Sequence, residues 1–359
     1  MKGNEVLAEA AIRCGCDGYF GYPITPQSEV METLMLREPW TETGMAVLQA
    51  ESEVAAINML YGAAATGKKV MTSSSSPGIS LMSEGISYIA GAELPCLVVN
   101  VQRGGPGLGT IQPSQADYFQ AVKGGGHGDY KMIVLAPSSV QEMNDFVDLA
   151  FELAFKYRNP AMILTDGAIG QMMEKVELTD YKQRWTDKEI EAKFGDWATI
   201  GKPATRERNV VTSLELDSDK MESNNRRFQE KYKKMEAEEQ RYEAIQCDDA
   251  EYILVAYGTS SRICQKAVEL ARSKGLKVGL LRPISLFPFP KKIIGELSDR
   301  VKGFLSVEMN AGQMVDDIKL AVYEAGCGRR VEYFGRMGGI IPTPGEVVEA
   351  LEQTFLKED

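Results

Sequence analysis

The feature that most constrains the fold is an alternation of short apolar runs with longer helical patterns over residues 1–178. Parallel strands joined by helices produce this rhythm, because each crossover between neighbouring strands needs a long connection. The sequence therefore predicts an α/β fold built on a doubly wound, largely parallel sheet. The predicted strands are residues 18–23, 68–74, 95–101, 130–136 and 161–167. The predicted helices are residues 27–36, 50–65, 78–91, 112–122 and 139–157.

The rest of the chain divides into two parts. Residues 179–248 are dense in charge and poor in glycine, which is typical of a linker or strap lying across a domain surface. Within them, four apolar side chains recur every seven residues and indicate a long helix with a narrow apolar stripe. These are Met221, Phe228, Met235 and Tyr242. Residues 249–359 resume the alternation and predict a second, smaller α/β domain.

Charge and composition argue against several classes of function. The net charge of −11 and the pI near 5.0 disfavour a nucleic-acid partner, because such proteins are usually basic. No apolar run approaches the roughly 18 residues that span a membrane. Residues 1–16 have the pattern of an amphipathic helix with acidic residues, so they are not interpreted as a signal peptide.

Cysteine and histidine usage leaves no metal site in this chain. The six cysteines form no CxxC pair, so neither an iron–sulfur cluster nor a zinc ribbon is encoded. Scattered thiols without secretory features indicate a reducing cytoplasm. The one histidine, His127, lies among glycines and is interpreted as a loop or interface residue rather than a proton shuttle.

A stiff segment follows the first predicted strand. In "GYPITPQSEV" (21–30), Pro23 and Pro26 bracket an Ile–Thr pair. Proline fixes φ and biases the preceding residue towards an extended conformation, so the backbone around Thr25 is restrained. In parallel sheets, ligands bind at the carboxyl ends of the strands. This segment and the glycine-rich "RGGPGLG" (103–109) both begin at such ends. Neither of them fits a phosphate-binding motif, and "GAAATGKK" (62–69) does not fit one either.

One glutamate of the second predicted helix lies on the apolar face. At helical spacing, Glu53 neighbours Ala56, Ile57 and Leu60, whereas Glu51 lies in a more polar setting. A buried carboxylate costs several kcal/mol unless it has a partner, which suggests a functional role for Glu53. A position at the helix N-terminus, partly solvated and stabilised by the helix dipole, explains Glu53 equally well.

Four segments together resemble the α subunits of 2-oxoacid:ferredoxin oxidoreductases, which use thiamine diphosphate. The segments are "GYPITP" (21–26), "ESEVAAINMLYGAA" (51–64), "TSSSSPGISLMSEGISY" (72–88) and "VNVQRGGPGLG" (99–109). The nearest likeness is to the 2-oxoisovalerate (3-methyl-2-oxobutanoate) branch. The resemblance implies that residues 1–178 form the pyrimidine-binding domain and that residues 249–359 resemble the transketolase C-terminal domain.

The resemblance also implies roles for individual residues. Thr25 and Arg103 match the threonine and arginine that lie beside the substrate's carboxylate and carbonyl in related pyruvate enzymes. Glu53 matches the family glutamate that contacts the pyrimidine ring nitrogen of the cofactor. This match favours the functional explanation of Glu53 over the helix-end one. Further cofactor-binding candidates on the same basis are Tyr22, Pro23, Ile24, Ser75 and Ser76.

The chain lacks the motif with which thiamine enzymes bind magnesium and diphosphate, a Gly-Asp-Gly followed by asparagine. The resemblance therefore implies a β subunit that supplies magnesium and diphosphate binding. It also implies γ and ferredoxin-like δ subunits, with iron–sulfur clusters only in partner chains. Coenzyme A is the implied acyl acceptor and ferredoxin the implied electron acceptor.

The function implied is oxidative decarboxylation of a 2-oxoacid, branched-chain by likeness, to acyl-CoA and CO2. Pyruvate and 2-oxoglutarate remain alternative substrates. A transketolase-like or 2-oxoacid dehydrogenase β-type component, without ferredoxin, is the alternative enzyme class. A scaffold that keeps the fold without the site is the non-enzymatic alternative, which the joint presence of Glu53, Thr25 and Arg103 disfavours.

Overall fold

The computed structural model describes residues 1–356. Its helices are α1 (Gly3–Arg13), α2 (Ser28–Arg37), α3 (Pro39–Glu42), α4 (Glu53–Ala64), α5 (Ser76–Gly91), α6 (Tyr118–Val122), α7 (Val140–Tyr157), α8 (Gly167–Gln171), α9 (Asp187–Phe194), α10 (Ser218–Glu238), α11 (Gly258–Ser273), α12 (Lys291–Ser298), α13 (Met314–Glu324) and α14 (Pro344–Phe355). Its strands are β1 (Gly18–Gly21), β2 (Ala46–Gln49), β3 (Val70–Ser74), β4 (Cys96–Gln102), β5 (Ile133–Leu135), β6 (Pro160–Asp166), β7 (Tyr242–Ile245), β8 (Tyr252–Val255), β9 (Val278–Pro283), β10 (Ser285–Phe287), β11 (Gly303–Glu308) and β12 (Arg330–Gly335). None of the helices in these residues is long and apolar enough to cross a membrane.

Seven strands form the first sheet, in the order β10-β5-β6-β4-β3-β1-β2. Neighbouring strands are parallel except at the β10 edge, where β10 runs antiparallel to β5. The central strands β3, β4 and β6 are buried along their whole length, as expected when helices cover both faces of a sheet. The predicted α/β class with a largely parallel sheet is confirmed.

Five strands form the second sheet, in the order β12-β11-β8-β9-β7. The pairs among β12, β11, β8 and β9 are parallel, and β7 adds antiparallel to β9. Helix α14 closes this region, beginning at a capping box in which Thr343 and Glu346 each bond to the other's backbone N–H. The sheet confirms the predicted second α/β unit in the C-terminal part of the chain.

The charged middle segment contains a shorter helix than its apolar repeat predicts. Helix α10 ends at Glu238, and Tyr242 lies instead in β7. The reason is that the backbone of β7 pairs with β9 at the sheet edge, which is incompatible with a helix. The stripe is correct at Phe228 and Met235, which are buried, whereas Met221 and Tyr242 are exposed.

The sequence also misplaces the start of one helix and misses three edge strands, β2, β7 and β10. Helix α6 begins at Tyr118, six residues later than the predicted start at 112. Residues before it are held extended, because Pro113 bridges to Arg103 and the N–H of Gln115 donates to the carbonyl of Met309. The side chains of β2 are mostly exposed, so this strand lacks the apolar run that marks the central strands.

A buried glutamine joins the two sheets. Gln115 is fully buried, and its side-chain amide makes hydrogen bonds to three partners in the C-terminal part of the chain. Its Nε2 donates to the carbonyl of Tyr257 at 2.8 Å. Its Oε1 accepts from Ser260 Oγ at 2.8 Å and from the N–H of Met309 at 3.1 Å. The contact between the two sheets therefore contains buried hydrogen bonds of specific geometry.

We expect Gln115→Leu to lower the free energy of unfolding by about 3 kcal/mol, because it leaves several buried polar groups without partners. Chemical denaturation followed by circular dichroism measures the change. Gln112→Leu is the matched control, since Gln112 lies three residues away and is exposed. Equal stability losses in both variants would show that the hydrogen bonds of Gln115 do not stabilise the contact between the two sheets.

Candidate active site

The carboxyl ends of three adjacent strands bring the predicted site residues together. Strands β1, β3 and β4 are neighbours in the parallel sheet, so the segments that follow them emerge at one edge. Residues 22–27 follow β1, Ser75 and Ser76 follow β3, and Arg103 follows β4. Two inter-segment contacts, Arg103–Thr25 and Arg103–Ser76, link all three.

Glu53 lies both at a helix N-terminus and in a buried position, so both explanations offered by the sequence apply to it. It is the first residue of α4, behind an N-cap in which Ser52 Oγ accepts from the N–H of Ala55. It is nevertheless buried, with 7% of its surface exposed. Within residues 1–356 its carboxylate makes no hydrogen bond to another side chain or to the backbone. A buried carboxylate at a helix N-terminus is stabilised by the dipole and is available to a ligand.

Glycine at position 78 makes room for that carboxylate. A Cβ at Gly78 would lie 2.8 Å from Glu53 Oε1 and would also clash with Ser74 Oγ. Glu53 therefore packs against the first turn of α5, next to the hydroxyls that follow β3. The Oγ atoms of Ser74 and Ser75 are buried and lack partners within the described residues. Unpaired buried polar atoms of this kind fit a ligand that carries its own hydrogen-bond donors and acceptors.

Arg103 lies with its guanidinium against the loop that contains Thr25. Nη1 donates to the carbonyl of Thr25 at 2.9 Å, and Nη2 donates to the carbonyl of Leu108 at 3.1 Å. The residue is only 7% exposed. Its Nε is buried and has no partner in residues 1–356. A guanidinium held this way offers a positive charge and a free donor to an anionic ligand.

The loop after β1 is fixed by side chains as well as by proline. Gln27 is fully buried; its Nε2 donates to the carbonyl of Tyr22 at 3.2 Å, and its Oε1 accepts from Ser73 Oγ at 2.6 Å. Asn4 Nδ2 donates to the carbonyl of Pro26 at 2.7 Å. These bonds place Thr25 with its side chain exposed at the edge of the sheet.

The other predicted cofactor residues occupy different environments. Tyr22 and Ile24 are half-buried, and Pro23 is exposed. Ser75 is the N-cap position of α5 but makes no side-chain capping bond, so capping does not explain it. Ser76 Oγ instead accepts from the N–H of Arg103 at 3.0 Å. All of these residues lie at the same sheet edge as Glu53 and Arg103.

A cleft of about 860 Å³ opens beside Arg103. On one side are the glycine-rich residues 104–107 and the start of α5; on the other are residues 309–313 and Met337 from the C-terminal part of the chain. His127 is not among the residues that line this cleft. It is exposed, and its carbonyl accepts from Ser87 Oγ, three turns along α5 from Ser76. Its placement agrees with its interpretation as a loop residue.

Two family models match the chain. Residues 9–247 match the model described as pyruvate flavodoxin/ferredoxin oxidoreductase, thiamine diphosphate binding. Residues 250–347 match pyruvate:ferredoxin oxidoreductase core domain II. The first match alone covers well over half of the chain. The chain belongs to the 2-oxoacid:ferredoxin oxidoreductase family. It is a subunit of a thiamine-diphosphate-dependent enzyme of this family, as the resemblance implied.

Relatives within the family differ in substrate. The chain is 52% identical to ketoisovalerate oxidoreductase subunit VorB of Methanothermobacter thermautotrophicus, over 98% of this chain and 97% of the relative. It is 36% identical to 2-oxoglutarate synthase subunit KorA of Methanocaldococcus jannaschii, over 98% of both chains. The predicted likeness to the 2-oxoisovalerate branch agrees with this order of identity.

A solved structure of the family has the same fold. The 2-oxoglutarate:ferredoxin oxidoreductase from Magnetococcus marinus, with 2-oxoglutarate, coenzyme A and succinyl-CoA bound, superposes with a TM-score of 0.82 at 26% identity. The match covers 98% of this chain and 64% of that chain. This chain therefore spans less than two thirds of the length of that longer protein.

Sequence reasoning missed the residues that position the site. Asn4 could have been found, because it lies on the same helical face as the apolar Leu7, Ala8 and Ala11, as Glu53 does in α4. No comparable signal marks Gln27 or Gln115, since each follows a loop and has no periodic neighbours. Their burial depends on contacts with residues distant in the sequence.

Proposed function

We propose that this chain is the α subunit of an oxidoreductase that converts a branched-chain 2-oxoacid, 2-oxoisovalerate above others, to its acyl-CoA and CO2. The observation that carries the proposal is the convergence of an unpaired buried carboxylate, Glu53, with the Arg103–Thr25 pair at one sheet edge. The 52% identity to a ketoisovalerate oxidoreductase subunit supports the choice of substrate.

Arg103 and Thr25 act on the oxoacid. The guanidinium attracts the carboxylate of the substrate, and the Arg103–Thr25 contact keeps this charge at the loop. The exposed Thr25 hydroxyl donates to the substrate carbonyl and orients it for attack. Because Gln27 and Asn4 hold the loop, this orientation costs little conformational entropy on binding.

Glu53 acts on the cofactor. When bound, thiamine diphosphate supplies the nucleophilic carbon and accepts the electron pair released when CO2 leaves. Glu53 would hold a proton against a ring nitrogen of the cofactor, and its burial beside Gly78 and Ser74 would limit the access of competing water. The unpaired hydroxyls of Ser74 and Ser75 support a polar heterocycle at this place, and Tyr22, Pro23, Ile24 and Ser76 complete its surroundings.

Partner chains complete the enzyme. We assign magnesium and diphosphate binding to a β subunit, and the iron–sulfur clusters to γ and ferredoxin-like δ subunits that reduce ferredoxin. The relatives are themselves described as subunits. Exposed apolar side chains on β2, α4 and α5 support a covering partner; they are Leu48, Val54 and Leu81.

A steady-state substrate panel tests the proposed function. The complex is purified with its partner chains and assayed with thiamine diphosphate, coenzyme A and methyl viologen. We expect kcat/KM for 2-oxoisovalerate to exceed that for pyruvate and for 2-oxoglutarate by roughly tenfold or more, the discrimination typical of one or two methyl groups in a binding site. A preference for 2-oxoglutarate would assign the chain to the other branch, and no oxoacid-dependent reduction would reject the enzyme class.

A further inference from the structure

Two side-chain amides bind the carbonyl of Pro26, the residue that follows Thr25. Asn4 Nδ2 donates to this carbonyl at 2.7 Å, and Gln171 Nε2 donates to it at 3.2 Å. Asn4 belongs to α1, whereas Gln171 is the last residue of α8. Pro26 itself is buried. Two helices that are far apart in the sequence therefore meet at one carbonyl of the loop after β1.

The carboxylate of Glu29 joins these two amides. Its Oε2 accepts from Asn4 Nδ2 at 3.0 Å, and its Oε1 accepts from Gln171 Nε2 at 2.6 Å. A primary amide has two N–H groups, so each amide can donate to the Pro26 carbonyl and to the carboxylate at the same time. The result is a closed ring of hydrogen bonds among Asn4, Pro26, Glu29 and Gln171. We call this ring the Glu29 bridge.

Neighbouring residues fix the Glu29 bridge in one arrangement. Lys2 Nζ donates to Gln171 Oε1 at 3.2 Å and lies 3.7 Å from Glu29 Oε1. The amide oxygen of Gln171 therefore faces the cation, and its N–H groups face the two acceptors. Gly170 leaves room for Asn4, because a Cβ at residue 170 would lie 2.7 Å from Asn4 Oδ1. Partial burial raises the pKa of Glu29, but the hydrogen bonds from the two amides and the charge of Lys2 lower it below its usual value.

The helix dipole accounts for only part of this arrangement. Glu29 lies in the first turn of α2, where a negative charge is stabilised by the dipole. The dipole does not require that each carboxylate oxygen accept from a different helix. Nor does it require that both donors also bind the Pro26 carbonyl. A group with two acceptor oxygens is needed for that pattern, and it connects the start of α2 to the loop that contains Thr25.

We propose that Glu29 is a positioning residue for the oxoacid, which acts through the Glu29 bridge to fix the Pro26 carbonyl and thereby the Thr25 hydroxyl. The inference rests on the proposed function, in which Thr25 orients the substrate carbonyl. Arg103 Nη1 holds the carbonyl of Thr25 itself at 2.9 Å. Two consecutive carbonyls of the loop are thus held, one by Arg103 and the next by the Glu29 bridge. The exposed Thr25 side chain therefore starts from a fixed backbone.

Glu29→Gln tests this role with little change in side-chain size. Glutamine replaces one acceptor oxygen with an N–H2 group, which then faces a donor of Asn4 or Gln171. In the complex purified with its partner chains, we expect KM for the oxoacid to rise about tenfold, the size of a coupling within one hydrogen-bond network. KM for coenzyme A should stay the same. Glu32→Gln is the matched control, because Glu32 is exposed on the same helix, and its KM values should equal those of the wild type.

Hydrogen exchange measures the loop without turnover. The N–H of Gln27 donates to the carbonyl of Ile24 at 3.0 Å within this loop. Mass spectrometry of the complex should show that Glu29→Gln speeds exchange in peptides covering residues 21–30 by roughly tenfold, with exchange in β9 unchanged. Equal acceleration in β9 would mean that the variant loosens the whole fold, and it would overturn the inference.

Gln171→Met shows whether Glu29 acts through the amides. We expect this variant also to raise KM for the oxoacid about tenfold. Combining it with Glu29→Gln should add little, because both changes break the same ring of hydrogen bonds. An additive loss of about a hundredfold would overturn the inference, as would wild-type KM and exchange in Glu29→Gln. Absence of oxoacid oxidation by the wild-type complex would reject the proposed function separately, since the exchange measurement needs no turnover.

Discussion

Glu53→Gln should lower kcat of the assembled complex by roughly two or more orders of magnitude, the range expected when a general acid–base group is lost. Glutamine is nearly the same size as glutamate but cannot hold or release the proton. Because Glu53 is buried and makes no hydrogen bond within residues 1–356, its replacement breaks no hydrogen bond of the folded chain. The free energy of unfolding should therefore stay the same or rise while activity falls.

The control for this variant is Glu51→Gln. Glu51 lies two residues earlier and is exposed just before α4, so it shares the local sequence without the burial. Its kcat should match that of the wild type. If Glu53→Gln retains nearly full activity, Glu53 is only a helix-end residue and the candidate site is misplaced. The rate of methyl viologen reduction measures kcat. Circular dichroism during chemical denaturation measures the free energy of unfolding.

Arg103→Lys should lower kcat/KM for the oxoacid by roughly two to three orders of magnitude, as when a preorganised charged donor is removed. Lysine keeps the positive charge but lacks the planar fork whose separate nitrogens, Nη1 and Nη2, reach the carbonyls of Thr25 and Leu108. The loss should appear mainly as a higher KM for the oxoacid, with KM for coenzyme A changing little.

Arg282→Lys separates this effect from the general cost of replacing a buried arginine. Arg282 is also buried, but it pairs with Glu142 at a distance from the candidate site, with Nη2 donating to Oε1 at 2.7 Å. We expect this variant to lose stability and to keep kcat/KM. Similar kcat/KM losses in the two variants would mean that Arg103 acts through the fold rather than on the substrate.

The sequence predicted the elements whose side chains follow a regular pattern. Apolar strands such as β4 and β6, and the position of Glu53 on the apolar face of α4, follow from local periodicity. Strand β2 could not be predicted in this way, because its side chains are mostly exposed and its pairing with β1 depends on the backbone.

In the candidate site, too, the sequence predicted some residues and not the contacts between them. Thr25 and Arg103 could be chosen from motifs, but the bond between them joins residues 78 positions apart and depends on the order of the strands. Asp117, which lines the cleft beside Arg103, could not be chosen in this way, because nothing in its sequence neighbourhood shows that Asn100 and Gln102 of β4 would hold it. Tertiary contacts between distant segments decide such positions, and a single sequence does not encode them as a pattern.

Strand β10 has a consequence for how the chain is made. It lies at residues 285–287, yet it completes the edge of a sheet whose other strands all lie before residue 167. During synthesis, β5 therefore has an open edge until more than a hundred further residues have left the ribosome. An unpaired edge strand is a template for association with other chains. The nascent subunit is accordingly most exposed to aggregation in this interval, and truncated forms ending before β10 should depend on chaperones more than the full chain does.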